Sequence, residues 1–266
     1  MNLHQVSLPT PGNRKVLLLH GAGVAARLTW GGVIPQLRQV SEVLAPDLYG
    51  AGETFYAHRS EQAFSIDEQV AHLAQVLTDY GWHEFDLVGY SFGGLLAMKL
   101  ASTGEFSIAR TVLVEPALME REDWQETLTR RRLYRHATEP LKTSATPEQG
   151  VTAFLDLVSP GRSKHPRVER RVVSRLAHRP VGLAHALESV AEAAEGLDRE
   201  RLLAHQRHVL SVVGERTPEP AHELHRRLAS RPDWTYRTVP GCDHALPYQK
   251  PAVLGDLISA FIGTDA

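Results

Sequence analysis

A serine enclosed by glycines is the sharpest chemical signal in the sequence. It lies in the run Gly89-Tyr90-Ser91-Phe92-Gly93-Gly94, which follows an apolar strand pattern and precedes a helical pattern. A strand-to-helix turn this tight leaves no room for side chains at Gly89 and Gly93, and it exposes the Ser91 hydroxyl at the edge of a sheet. The N–H of Phe92, at the start of the helix, points to the same space and is a candidate donor to an oxyanion. The pattern therefore predicts a nucleophilic serine at position 91.

A glycine-containing loop near the N-terminus can complete this arrangement. The run His20-Gly21-Ala22-Gly23 follows another apolar strand pattern, and glycines let the backbone of such a loop come close to a ligand. We expect the N–H of Ala22 to be the second oxyanion donor. We interpret His20 itself as a structural residue.

A histidine late in the chain is the candidate general base. His244 ends the run Gly241-Cys242-Asp243-His244, which follows a strand pattern. Loops that leave parallel strands at their carboxyl ends meet at one edge of the sheet, so His244 and Ser91 are expected to come together. We interpret Cys242, on the same loop, as a small filler of the interior.

These loops need a parallel sheet to position them, and the sequence contains six strand patterns. Several are continuously apolar rather than alternating, which is typical of strands buried on both faces. Helical patterns separate them, the clearest beginning with a capping box of Ser65 and Glu68. The alternation predicts an α/β fold with a mostly parallel, doubly wound sheet. The predicted strands are Val16–His20, Val43–Asp47, Phe85–Gly89, Thr111–Glu115, Val209–Gly214 and Trp234–Val239.

The alternation stops between residues 117 and 205, where 89 residues show helical patterns but no strand pattern. We interpret this stretch as a helical cap inserted into one composite domain. The predicted organisation is a core of residues 1–116 and 206–266, with a cap of residues 117–205.

Together these features resemble the α/β-hydrolase superfamily in its capped, serine-esterase-like form. The matching pieces are the loop at 20–23, the elbow around Ser91, the Gly-x-x-His ending at His244, and the run Pro46-Asp47-Leu48-Tyr49-Gly50-Ala51-Gly52. The resemblance covers the whole chain and implies an α/β-hydrolase fold. It also implies a catalytic triad in which His244 takes the proton of Ser91 and a carboxylate orients the imidazole.

The acid is where the sequence departs from the resemblance. Such proteins usually carry an aspartate shortly after the strand at 209–213, but this chain has Thr217 at that place. We take Glu115, at the end of the preceding strand, as the candidate acid, because some family members, notably certain haloalkane dehalogenases, use that position. Glu215 is one alternative. A Ser–His dyad supported only by Thr217 or a backbone carbonyl is another.

The composition is that of an ordinary folded protein. The 266 residues are 42% hydrophobic and 23% charged, with a formal net charge of −2, which argues against a nucleic-acid partner. The single cysteine cannot form an internal disulfide, and no apolar run approaches the roughly 20 residues needed to span a bilayer. We therefore expect a cytoplasmic protein without membrane spans, and the oligomeric state stays open. The sequence has no phosphate-binding glycine loop and no convincing metal-ligand set, so we expect no cofactor and no metal.

The predicted cap is locally basic despite the near-neutral total. Between Arg130 and Arg179 there are twelve basic and four acidic residues. One interpretation is attraction of an acidic partner or an anionic substrate, such as an acyl-CoA, a carrier-protein thioester or a carboxylate. The alternative is that these arginines pair with acids such as Glu188, Glu192 and Glu195.

The leading functional hypothesis is a serine hydrolase that acts on a small-molecule ester or thioester through an acyl-enzyme intermediate. The same residues would also serve an acyltransferase or a C–C bond hydrolase, since one scaffold hosts many chemistries. A ligand-binding protein that kept the pocket and lost turnover is a third hypothesis, because Thr217 replaces the usual acid.

Overall fold

Seven strands form one central sheet within the residues that the computed structural model describes, which are 3–7, 12–55, 60–158, 162 and 164–263. The strands are β1 (Leu3–Ser7), β2 (Arg14–Leu19), β3 (Val40–Pro46), β4 (Glu84–Tyr90), β5 (Ser107–Val114), β6 (Val209–Gly214) and β7 (Trp234–Val239). Their order across the sheet is β1-β3-β2-β4-β5-β6-β7. Strands β2 to β7 run parallel, and β1 pairs with β3 in the antiparallel sense.

The predicted α/β fold with a mostly parallel sheet is confirmed. All six predicted strands are present, and the last two match residue for residue. The sequence analysis missed β1, a five-residue edge strand at the start of the chain. A strand this short gives too few alternations of apolar and polar residues to stand out from a loop.

Helices cover both faces of the sheet, which explains why the strands read as continuously apolar. Within β2, Leu17 and Leu19 face one hydrophobic cluster, while Val16 and Leu18 face another on the opposite side. The predicted capping box is also present, since the Ser65 hydroxyl accepts the N–H of Glu68. The helices are α1 (Ala26–Trp30), α2 (Ile66–Asp79), α3 (Phe92–Thr103), α4 (Trp124–Ala137), α5 (Glu139–Thr143), α6 (Pro147–Val158), α7 (Pro166–Leu176), α8 (Pro180–Gly196), α9 (Arg199–Ala204), α10 (Glu219–Leu228), α11 (Leu246–Gln249) and α12 (Pro251–Ile262).

Helices α4 to α9 lie between β5 and β6 in the chain, and the described residues of this segment contain no strand. Helix α8 packs against α4 and α5 and also against α2 and α3 of the sheet layer. A small hydrophobic cluster of its own, which includes Val151 and Phe154, holds the segment together. The division into a core and a cap at residues 117 and 205 stays a prediction.

The start of α8 is fixed to the loop that follows β3. Arg179, directly before α8, donates to both carboxylate oxygens of Glu61 at 2.6 and 2.7 Å. A Cβ at Gly182 would lie 2.5 Å from the carbonyl oxygen of Gly50, so the two backbones touch. Arg179 also donates to the carbonyls of Ala51, Gly52 and Thr54.

In the described ranges, none of the helices combines the length and the apolar character that crossing a bilayer requires.

Candidate active site

Ser91 occupies the sharp turn between β4 and α3. Its backbone has φ 52° and ψ −115°, a conformation that residues other than glycine rarely adopt. The Ser91 N–H donates to the carbonyl of Val114 at the end of β5 (3.0 Å), and its carbonyl accepts from the N–H of Ala117 (2.9 Å). The neighbouring strand therefore holds the strained turn in place.

Two glycines let this turn pack tightly, as the sequence pattern predicted. A Cβ at Gly93 would lie 2.3 Å from the carbonyl oxygen of Leu19, at the end of β2. A Cβ at Gly89 would lie 2.5 Å from the carbonyl oxygen of Gly93. Any larger residue at either position would push the turn out of the sheet edge.

His244 lies in the loop after β7, beside the serine. Its Nε2 is 3.2 Å from Ser91 Oγ, which is within reach for proton transfer. The Tyr90 hydroxyl donates to the His244 carbonyl at 2.9 Å, and the two rings lie 5.3 Å apart. The His244 side chain is 58% exposed, so a molecule from solvent can reach it.

Glu115 follows β5 directly and completes a line of hydrogen-bonding groups. Its Oε2 is 3.3 Å from His244 Nδ1. Its Oε1 accepts the N–H of Gly214 and the hydroxyl of Thr217, both at 2.7 Å. Glu115 has a left-handed backbone, with φ 47°, and its side chain is only 6% exposed. The arrangement favours the tautomer in which Nδ1 of His244 carries the proton and Nε2 can accept one from Ser91.

The carboxyl of Glu115 is held as an anion. Burial by itself would raise its pKa, but His244 and the hydrogen bonds from Thr217 and the Gly214 N–H together lower the pKa below its usual value. Hydrogen bonds to the charged form outweigh desolvation here. A buried carboxylate is therefore available to stabilise a positive charge on the imidazole.

The two alternatives to Glu115, which are Glu215 and Thr217, have other hydrogen-bond partners. Glu215 accepts the N–H of Gly241 at 2.8 Å and is exposed. Thr217, at the acid position that the resemblance to α/β-hydrolases implies, donates its hydroxyl hydrogen to Glu115. The sequence analysis missed the hydrogen bond from Thr217 to Glu115. The available signal was that Thr217 follows β6 and Glu115 follows β5, and these two strands are neighbours in the sheet.

The two predicted oxyanion donors flank the serine. Phe92 follows Ser91 and is the first residue of α3. Ala22 follows Gly21, and a Cβ added to Gly21 would lie 3.4 Å from Ser91 Cβ. Within the described residues, neither the Phe92 N–H nor the Ala22 N–H has a hydrogen-bond acceptor. Both amides are free to bind a ligand oxygen.

His20 has the environment of a structural residue. Its Nδ1–H donates to the Gly21 carbonyl (2.6 Å), and its Nε2 accepts the N–H of Leu48 (2.8 Å). Burial lowers the pKa of His20 and so keeps its ring neutral. The residue thereby connects the loop of Ala22 to the loop that follows β3.

The other titratable groups near this edge do not form a metal site. In the part of the chain that the structure covers, no three His, Cys, Asp or Glu side chains are arranged to hold a metal ion. His222 bonds to the carbonyl of Thr217 and to the Tyr236 hydroxyl. Cys242 is buried, and burial raises the pKa of its thiol.

The chain matches a known family model and several known proteins. The sequence profile of the alpha/beta hydrolase family matches residues 16–257. Over 115 residues the chain is 37% identical to 2-hydroxy-6-oxo-2,4-heptadienoate hydrolase of Pseudomonas putida. That match covers 42% of this chain and only 40% of the length of that protein.

Two longer matches extend over nearly the whole chain. Over 259 residues this chain is 25% identical to a Bacillus subtilis protein provisionally named 2-succinyl-6-hydroxy-2,4-cyclohexadiene-1-carboxylate synthase. That match covers 93% of this chain and 89% of that protein. The structure of MenH from S. aureus superposes with a TM-score of 0.80 at 19% identity, covering 98% of this chain and 97% of the other. At that identity the structural likeness supports the fold alone.

Proposed function

Because the chain belongs to the alpha/beta hydrolase family, we propose that it is a serine hydrolase that cleaves an ester or thioester of a small acyl group. One observation carries the proposal. Ser91 Oγ, the two ring nitrogens of His244 and the Glu115 carboxylate form one line, with separations of 3.2 and 3.3 Å. This is the order of groups that nucleophilic acyl transfer requires.

In the first half-reaction, Ser91 Oγ attacks the carbonyl carbon of the substrate and its proton passes to His244 Nε2. The imidazolium that forms is stabilised by the Glu115 carboxylate. The carbonyl oxygen becomes an oxyanion, which the N–H groups of Phe92 and Ala22 bind. His244 then returns the proton to the departing alcohol or thiol, and the acyl group stays on the serine.

In the second half-reaction, water takes the place of the alcohol or thiol. His244 removes a proton from the water as it attacks the acyl-enzyme carbonyl, and the proton finally returns to Ser91 Oγ. The products are a free acid and the regenerated enzyme. In this proposal, residues 117–205 form the cap that selects the acyl group.

The experiment that tests the proposal is covalent labelling with a fluorophosphonate. We expect labelling of the native chain and none of the Ser91→Ala variant, because the reagent needs the activated hydroxyl. The exposed Ser230, which bonds only to the Arg227 carbonyl in the described residues, supplies a matched control, and Ser230→Ala should label normally. Labelling that survives Ser91→Ala would refute the proposal.

A second candidate, hydrolysis of a C–C bond by the same residues, is favoured by the two sequence relatives. One is named a hydrolase of a heptadienoate and the other a synthase of a cyclohexadiene carboxylate. A substrate panel separates the candidates. Turnover of p-nitrophenyl esters that Ser91→Ala abolishes supports the esterase, whereas turnover confined to vinylogous 1,5-diketones supports C–C cleavage.

A further inference from the structure

The charges of residues 117–205 are unevenly compensated. The acids Glu188, Glu192 and Glu195, which the sequence singled out, pair with Lys142, Arg135 and Arg132. The other ion pairs made by basic residues between positions 130 and 179, among the described residues, are Arg131–Glu120, Arg162–Asp156, Arg162–Glu169, Lys164–Asp156 and Arg179–Glu61. Most of the basic side chains between Arg130 and Arg179 are therefore paired with acids. Four of the five that have no acidic partner among the described residues lie in α7.

Helix α7 keeps its arginines without acidic partners. Among the described residues, no ion pair or hydrogen bond reaches the side chains of Arg167, Arg170, Arg171 or Arg175. Glu169, the acid of this helix, is bound to Arg162. The spacing of Arg167, Arg171 and Arg175 forms a stripe along one side of the helix. The first two are exposed, but Arg175 is half-buried.

Arg175 ends this stripe next to the candidate active site. Its guanidinium carbon lies 5.0 Å from the centre of the Tyr248 ring. The Tyr248 ring is 6.4 Å from the ring of Tyr90, which is 5.3 Å from the ring of His244. Two aromatic rings therefore separate Arg175 from the general base.

Leu176, the residue after Arg175, packs against the loop of Ala22, which lies beside Ser91. A Cβ at Gly23 would lie 3.2 Å from Leu176 Cδ2. Gly21, two residues earlier in that loop, is the residue whose added Cβ would be 3.4 Å from Ser91 Cβ. The C-terminal end of α7 thus borders both the loop of Ala22 and the rings beside His244.

An unpaired, half-buried guanidinium has lost part of its hydration. Within the described residues, only stacking on Tyr248 compensates this loss. A carboxylate would restore two parallel, charge-assisted hydrogen bonds, because the planar fork of arginine matches the carboxylate geometry. The exposed arginines of the stripe would raise the local concentration of anions at the same helix.

We propose that Arg175 binds a carboxylate of the substrate, so that the enzyme acts on acyl groups that carry a second, anionic end. This inference rests on the proposed function, since it concerns the substrate of the same site. The anionic end lies against Arg175 and Tyr248, and the chain between the two ends reaches past the aromatic rings to the carbonyl at Ser91.

The test compares an anionic with a neutral ester in the full-length enzyme. The probes are mono-p-nitrophenyl succinate, glutarate and adipate against p-nitrophenyl butyrate, and the readout is the ratio of their kcat/KM values. We expect Arg175→Gln to lower this ratio by about tenfold or more, and Arg175→Lys to lower it less. The matched control is Arg132→Gln, which removes an exposed arginine already paired with Glu195 and should keep the native ratio. A ratio within twofold of the native one in Arg175→Gln overturns the inference.

Binding without turnover separates failure of this inference from failure of the proposed function. Calorimetric titration of the Ser91→Ala variant with monomethyl glutarate measures the anion site alone. A Kd that Arg175→Gln weakens by about tenfold or more supports the inference, even if fluorophosphonate labelling refutes the serine hydrolase. Binding that is absent, or equal with and without Arg175, overturns the inference and leaves the labelling result standing.

Discussion

At the scale of single residues, Glu115 places a buried carboxylate beside His244. It is buried and accepts hydrogen bonds from the Gly214 N–H and the Thr217 hydroxyl, and it faces the His244 ring. These donors lower its pKa, so it remains negative through the whole range in which a histidine can act as a base. In the proposed mechanism, this charge stabilises the imidazolium at each proton transfer.

We predict that Glu115→Gln lowers kcat for ester hydrolysis by roughly three to four orders of magnitude, since an amide neither stabilises the imidazolium nor fixes the tautomer. Steady-state kinetics at pH 7.5 would measure the change. Glu215→Gln is the matched control, because Glu215 is an exposed carboxylate that bonds to the Gly241 N–H, and it should change kcat less than threefold. Equal losses in the two variants would remove Glu115 from the role of triad acid.

At the scale of elements, Arg179 fixes the start of α8 to the loop after β3. It is buried and binds the Glu61 carboxylate, three backbone carbonyls and the face of Phe55, at 3.8 Å from the ring centre. Since α8 also packs on α2 and α3, this contact helps to fix the position of α8 relative to the core of the sheet.

We predict that Arg179→Met lowers the free energy of unfolding by about 3 kcal/mol, because it removes a buried cation that donates to the Gly52 carbonyl and to both oxygens of the Glu61 carboxylate. Urea unfolding followed by circular dichroism measures this value. The exposed pair of Arg132 and Glu195 provides the comparison, and Arg132→Gln should cost less than about 1 kcal/mol. A loss for Arg179→Met no larger than that of Arg132→Gln would contradict an anchoring role.

The elements that position the site were largely predictable, while one contact inside it was not. Apolar runs and glycines are local signals, so the strands, the elbow and the loop of His244 could be read from the sequence. The contact of Glu115, rather than Glu215, with His244 could not, because it depends on the left-handed backbone at Glu115 and on the register of β5 with β6. The lack of acidic partners for the α7 arginines among the described residues was equally hidden, since an ion pair depends on which distant acids the fold brings near.

At the scale of the whole molecule, we expect the burial of His225 to make stability depend on pH. His225 in α10 stacks on Tyr236, and its Nδ1 has no hydrogen-bond partner among the described residues. Burial lowers its pKa to about 4, and the nearby Glu115 carboxylate opposes this only in part. Between pH 6.5 and about 4 the unfolded chain therefore takes up a proton that the folded chain excludes, so acidification favours unfolding in that window.

We predict that lowering the pH from 7 to 5 destabilises the native protein by about 2 kcal/mol more than the His225→Gln variant, which cannot take up this proton. Urea unfolding of the native chain and of His225→Gln, each at pH 7 and pH 5, gives the four free energies of unfolding that the comparison needs. His205→Gln is the control, because His205 is exposed, and its pH dependence should follow that of the native chain. Parallel profiles for the native chain and His225→Gln would contradict the prediction.

The hydrogen bond between Thr217 and Glu115 also bears on how such sites diverge. The two residues follow the neighbouring strands β6 and β5, and the Thr217 hydroxyl donates to Glu115 Oε1 at 2.7 Å. An aspartate at position 217 would meet the glutamate at the same point, and two carboxyl groups that close share a proton. Under the proposed mechanism, a chain with both acids could therefore pass the role of triad acid from one strand to the next while His244 kept a carboxylate partner. Thr217 would then mark the position that gave up its acid.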